Sequence, residues 1–184
     1  MKHPIISALR LSLLVLLLCS GLYTVLVWGI AQCFPQKGKG ELLSANDAVY
    51  YANIGQKFTA DKYFQGRPSA VDYNAAGSGG SNKGPSNPDY LAIVRSRIDT
   101  FMAHNPGVRR GDIPVDLITA SGSGLDPHIS VQAASIQAQR VARARGLSVE
   151  QVQELISRNK EQPLAGPECV HVLKLNLSLD QFHQ

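Results

Sequence analysis

The chain is poor in the residues that staple small domains or hold cofactors. Three cysteines in 184 residues make neither a disulfide framework nor a metal array. Cys19 falls inside an apolar run, so Cys33 and Cys169 are the pair left for a bridge, with two free thiols as the alternative. His104, His128, His171 and His183 stand at no ligand spacing from cysteines or carboxylates, and no metal site is expected. Aromatics make up 7% of the chain, and no basic stripe is interleaved with them, so nucleic acid is not an expected partner. The Gly-four spacers-Gly-Lys order of a P-loop is missing, as is a Gly-x-Ser-x-Gly nucleophile elbow. Charge of one sign is also scarce. Of the 18 Lys and Arg, Lys2 and Arg10 precede the apolar run, leaving 16 basic against 14 acidic residues in the remainder.

What is present in abundance is one apolar run, uncharged from Leu11 to Gln36. A bilayer core about 30 Å thick requires about 20 apolar residues in a helix, the form that satisfies its own backbone in lipid. The reading is a cytoplasmic N-terminus over 1–10, a transmembrane helix over 11–33 and one soluble domain over 34–184. Tyr23 and Trp28 suit an interface, Ser20 and Gly21 suit close helix packing, and Pro35, Gly38 and Gly40 mark the exit. A cleaved signal peptide is the competing reading, with Lys2 and Arg10 as its basic head and Gly29-Ile30-Ala31 as its cleavage site. Its apolar core would span only about 7 to 15 residues. The N-terminal flank is purely basic, whereas Lys37 and Lys39 are mixed with Glu41 and Asp47 on the other. That asymmetry favours an exported C-terminal domain.

The soluble part reads as a small α+β domain. In a segment from Ala45 to Phe58, Val49, Ile54 and Phe58 are expected to pack while Gly55 turns the chain. Asn87-Pro88 caps a helix carrying Leu91, Val94, Ile98 and Phe101, which ends before Asn105-Pro106. Pro114 to Thr119 reads as a short strand. Ser130 caps a helix from Val131 to Arg145, with Gly146 as its left-handed stop and Arg140, Arg143 and Arg145 as its solvated face. Ser148 and Gln151 form a capping box for a third helix. In Cys169 to Leu179, leucines at 173, 175, 177 and 179 alternate with polar residues, the pattern of a half-buried strand. Asn176-Leu177-Ser178 is a glycosylation sequon by spelling alone.

Two Gly/Ser-rich loops carry the candidate chemistry, Tyr63 to Pro88 and Thr119 to Ser130. Gly79-Gly80-Ser81-Asn82-Lys83 offers backbone N–H groups open to the approach of an anion, against the plainer reading of a structural loop. Ser121, Ser123, Asp126 and His128 invite a hydrolase reading, but roles crowded into eight positions seldom converge on one atom. Asp126 and Ser130 are better placed to bond loop backbone and cap the next helix. Arg67 suits either a partner's carboxylate or a pair within the chain.

The run YFxGRPSA, then YN, SGGSN and SNP, then DLxTASGSGLDPHIS, the helix ending RVARARGLS and the terminal VLKLNLSLD resemble the KdpC family. These are the small accessory subunits of bacterial Kdp potassium-transporting P-type ATPases. The resemblance implies a non-catalytic subunit of an ATP-driven, high-affinity potassium import complex in the inner membrane, needed for assembly. Its implied partners are an ATP-hydrolysing P-type subunit, a channel-like subunit and a very small membrane subunit. It also implies a catalytic chaperone role that raises ATP affinity, with nucleotide contacts at Ser78, Gly79, Gly80 and Gln137. An exported domain cannot reach cytoplasmic ATP, so that role and the flanking charges conflict. The alternative places Arg67, Ser81 and Asn82 in a subunit interface. The reading from a different class is an anchored periplasmic serine hydrolase, or a ligand-binding domain, using Ser121 or Ser123 with His128.

Overall fold

The computed structural model describes residues 2–45 and 48–182; Asp47 of the C-terminal flank and His183 lie outside them. The chain divides into two compact units, Met1–Leu42 and Leu43–Gln184. In the first, helix α1 (Lys2–Leu16) runs through a π-helical stretch (Leu17–Leu22) into α2 (Tyr23–Gln32). From Pro4 to Gln32 this continuous helix has 29 residues, and its most apolar 18-residue window has a mean hydropathy of 2.3 with no part of it buried within the chain. By length and composition it is able to cross a membrane. Ser20 and Gly21 lie within the π-helical stretch, where the Thr24 hydroxyl is 3.5 Å from the Cys19 carbonyl. Cys19, Cys33 and Cys169 are all free thiols.

The second unit is the small mixed domain that the pattern predicts. A two-stranded sheet of β1 (Leu42–Ala45) and β2 (Ala48–Tyr51) precedes the long first loop. Helix α3 (Pro88–His104) is capped by Asn87, whose side chain accepts the Tyr90 N–H. A three-stranded antiparallel sheet of β3 (His128–Ser130), β4 (Lys160–Glu161) and β5 (Cys169–His171) has the order β3-β5-β4, with Ile129 opposite Val170. Helices α4 (Val131–Arg145) and α6 (Val172–Gln181) pack on it, and α5 (Val149–Arg158) packs on both of those helices. The Ser130 cap, the left-handed Gly146 and the Ser148–Gln151 capping box are all present.

α4 turns a face of Ala133, Ala134, Ala138 and Val141 toward Val152 and Ile156 of α5, and these side chains are fully or almost fully buried. Small residues here let the helix axes approach closely. Phe64, from the first loop, is fully buried in the same core, a burial worth about 2–3 kcal/mol. Asn176 seats it: the side-chain oxygen accepts the Phe64 N–H at 2.8 Å and the amide donates to the Phe64 carbonyl at 2.9 Å. That accounts for the buried asparagine in the sequon spelling.

Four local expectations are corrected. Residues 172–181 are helix, not strand, because Val172, Leu175, Asn176 and Leu179 form a buried face at helical spacing and His171 caps its start. Pro114 to Thr119 contains a 3₁₀ turn at Val115–Leu117 instead of a strand. Its backbone bonds close locally, with the Leu117 N–H on the Pro114 carbonyl and the Thr119 N–H on Val115. Val49 is exposed, while Gly55 follows the turn and marks a close approach: an added Cβ would lie 2.7 Å from the Asp126 carbonyl. Of the supposed solvated arginines only Arg143 is exposed; Arg140 is buried and the Arg145 side chain nearly so.

Candidate functional site

The two Gly/Ser loops lie zipped together. The Ser121 N–H donates to the Pro68 carbonyl at 3.2 Å, and the Ser69 hydroxyl to the Gly124 carbonyl at 2.6 Å. The Gly79 N–H and the Ser78 hydroxyl both donate to the Ser123 carbonyl, at 2.9 and 3.0 Å. Gly80 and Gly122 pass so closely that a Cβ on Gly80 would lie 3.0 Å from the Gly122 oxygen. Glycine and serine are thus required here for backbone proximity. Asp72 and Tyr73 both hold positive φ, 51° and 59°. They are kept there by the Ser69 hydroxyl, which accepts the Val71 and Tyr73 N–H groups, and by the Tyr73 hydroxyl donating to the Arg67 carbonyl. Strain of this kind persists where the surroundings over-determine it. Burial pushes the Tyr73 phenol up to about 12.

Arg67 is paired within the chain: Nη1 donates to Asp126 at 3.0 Å, and both side chains are partly exposed. Its buried Nε is without a hydrogen-bond partner. Burial alone would raise the Asp126 carboxyl, but hydrogen bonds from the His128 ring and backbone and from Arg67 outweigh it and hold the group at about 2. The His128 ring lies between Asp126, 3.5 Å from Nδ1, and Glu161, 3.3 Å from Nε2. The Asp126 hydrogen bond raises its pKa, burial opposes and Glu161 adds. Glu161 is in turn met by Lys174 at 3.0 Å.

The residues singled out from sequence fall in different places. Ser78 is exposed and Gly79 and Gly80 half-buried, with Ser81 and Asn82 exposed beyond them. Gln137 is fully buried in α4. Its side-chain oxygen accepts from the Gln65 N–H and from Arg140, and its amide donates to the Gln65 and Ala133 carbonyls. None of these bonds goes to Ser78, Gly79 or Gly80. Nor does any hydrogen bond join Ser121 or Ser123 to the His128 ring among the described residues. Ser121 is buried, the Ser123 hydroxyl accepts the Leu125 N–H, and both His128 nitrogens face carboxylates. Asp126 and Ser130 do bond the backbone of their own segment, to the His128 and Ala133 N–H groups.

Three participants were not anticipated. Tyr73, Glu161 and Lys174 complete the site from a strained loop, a two-residue strand and α6, and no local spelling ties Glu161 to His128, 33 positions away. Arg140, expected on the solvated face, is buried with Gln137 and Val141 of the same helix, and its place one turn after Gln137 is the signal the sequence holds.

A family model described as K+-transporting ATPase, c chain, matches residues 5–181. The chain is 54% identical over 180 residues to the potassium-transporting ATPase KdpC subunit of Flavobacterium psychrophilum, covering 97% of this chain and 98% of that one. It is 52% identical over 177 residues to that of Flavobacterium johnsoniae, covering 96% and 97%. With that of Polaromonas naphthalenivorans it shares 50% over 188 aligned positions, covering 98% and 95%. Membrane-type helix, interlocked loops and C-terminal helix all fall within the matched stretch, and the chain belongs to the KdpC family, the c chain of K+-transporting ATPases.

Proposed function

We propose that this chain is the non-catalytic accessory subunit of a high-affinity, ATP-driven potassium import complex in the inner membrane. The N-terminal helix anchors it, and domain 34–184 lies on the exported side, as the flanking charges favour. Its partners are a separate ATP-hydrolysing P-type subunit, a channel-like subunit and a very small membrane subunit. The observation that carries this reading is the family match along nearly the whole chain, the apolar helix included. The geometry supports a role by contact: nucleophile and base candidates are tied into the fold, while Ser81 and Asn82 remain exposed and Arg67 is braced by Asp126 and partly exposed. We place the subunit interface at Arg67, Ser81 and Asn82. A nucleotide held at Ser78–Gly80 would have to displace the Gly79–Ser123 hydrogen bond, and Gln137 would have to leave the core. An effect of this chain on ATP affinity is therefore better assigned to contacts with the hydrolysing subunit than to a nucleotide bound here.

A detergent pull-down of the tagged chain from potassium-starved native cells, read by mass spectrometry, is expected to recover a P-type ATPase subunit and a channel-like subunit. Recovery of the chain alone from cells that make both would sink the assignment. Ser81→Trp puts bulk on the exposed loop without touching the core. It is expected to lower complex yield about tenfold, the effect of about 1.4 kcal/mol of lost affinity, with the thermal midpoint of the free chain unchanged. Arg67→Ala should act in the same direction. Unchanged yield and potassium-dependent ATPase activity in both variants would remove the interface from this face.

A further inference from the structure

Five charged side chains of alternating sign run in series across the domain. Arg67 of the first loop meets Asp126 of the second at 3.0 Å, and Asp126 meets the His128 ring at 3.5 Å. His128, in β3, meets Glu161 of β4 at 3.3 Å, and Glu161 meets Lys174 of α6 at 3.0 Å. Around this series Lys160 pairs with Glu168 at 3.3 Å and Asp116 accepts from the Ser130 N–H at 2.7 Å; three further titratable groups lie close to it. His171, edge-on to His128 with ring centroids 5.1 Å apart, is buried and bonded through Nε2 to the Ala52 carbonyl. Burial lowers its pKa. Burial likewise holds the Cys169 thiol and the Tyr73 phenol in their protonated forms. Within this cluster, His128 is the group whose charge changes near neutrality.

The geometry requires both of its ring protons. A neutral imidazole has one N–H and one lone pair, whereas two carboxylates face this ring, one at each nitrogen. When the ring loses a proton, one carboxylate is left facing a lone pair. Asp126 keeps Arg67 and the His128 backbone N–H, and Glu161 keeps Lys174, so the series parts at its middle into two separate clusters. On the Glu161 side lies β4, only two residues long, followed by the exposed turn 162–168.

We propose that His128 is a pH-sensitive clasp. Protonated, it fastens β4 to the second Gly/Ser loop and, through Asp126, to Arg67; neutral, it releases one of its two carboxylates and β4 loosens. The regulatory meaning rests on the exported placement proposed above, since only that compartment follows the pH of the medium. Low external pH then tightens the strut behind Arg67, and alkaline medium slackens it. The sign follows from linkage: a histidine whose pKa is raised by folding stabilises fully below its unfolded value of about 6.5 and loses that contribution as pH rises through the folded value.

The test uses the full chain in detergent, with ring-labelled histidine followed by NMR from acid to alkaline pH and His128→Gln for assignment. His128 is expected to titrate above 6.5, and Glu161→Gln to move its midpoint down. Hydrogen exchange of the peptide 159–168, corrected for the intrinsic pH dependence, is expected to be several-fold faster above the midpoint than below it. In His128→Gln that difference should vanish. A midpoint at or below the free imidazole value, an unmoved midpoint in Glu161→Gln, or exchange indifferent to pH would each overturn the clasp. None of these readouts depends on complex formation. Failure here and failure of the accessory role are therefore told apart by the pull-down.

Discussion

Arg140→Ala is expected to destabilise the soluble domain by about 4 kcal/mol, a large part of the roughly 5–15 kcal/mol that holds a domain of this size folded. The guanidinium is buried and used on every side. Nε donates to Asn105 at 3.1 Å, Nη1 to the Asp61 and Tyr63 carbonyls at 2.6 and 2.9 Å, and Nη2 to Gln137 at 2.6 Å. Alanine takes a donor from each of these oxygens, at about 1–3 kcal/mol for each one left buried without another; the Gln137 oxygen keeps the Gln65 N–H. Arg140→Lys should recover only part of the loss, because an ammonium is a point charge and cannot span the same fork. Urea unfolding of the full chain, followed by circular dichroism, gives the measurement. A loss below about 1 kcal/mol would show that these bonds are dispensable.

Gly124→Ala is expected to cost about 3 kcal/mol and to part the two Gly/Ser loops. The backbone there holds φ +68°, and an added Cβ would lie 2.6 Å from Val71 Cγ2 and 2.7 Å from the Gly79 carbonyl oxygen. Gly146 supplies the comparison. Its φ is +66°, yet a Cβ on it meets nothing within 4 Å, so Gly146→Ala should cost only the left-handed penalty of about 1 kcal/mol. The contrast separates backbone strain from collision, since the dihedrals are nearly equal. Complex yield should fall with Gly124→Ala and hold with Gly146→Ala. Equal costs at the two glycines would mean that the loops move apart freely.

Helix caps were legible in the sequence because their chemistry is local: Asn87, Ser130 and Ser148 each act within three residues of their own position. Leu173 to Leu179 was misread because, over so short a run, alternation and helical spacing fit the same residues. Burial of Val172 and Asn176 together settles it, and that depends on Phe64, more than a hundred positions away. Arg140 was misread for a similar reason. A charged residue in a helix reads as solvated until the chain supplies carbonyls to surround it, and here they come from Asp61 and Tyr63. The loops announced themselves by composition, but their interlocking is not legible there, since nearly every bond between them ends on a backbone carbonyl that any residue possesses. Gln137 was named for a likeness of motif and proves to be a strut of the core.

The Phe64–Asn176 bond pair spans 112 residues, and this sets a timetable for the newborn chain. At about 5–20 residues added per second, the segment bearing Arg67 waits on the order of ten seconds for the asparagine that seats it. Until then the two bonds that seat the Phe64 backbone are missing, and the loop it anchors stays unfastened. A domain whose early loop is fastened by a late helix can therefore be threaded across a membrane as an unfinished chain, and it closes only when α6 arrives.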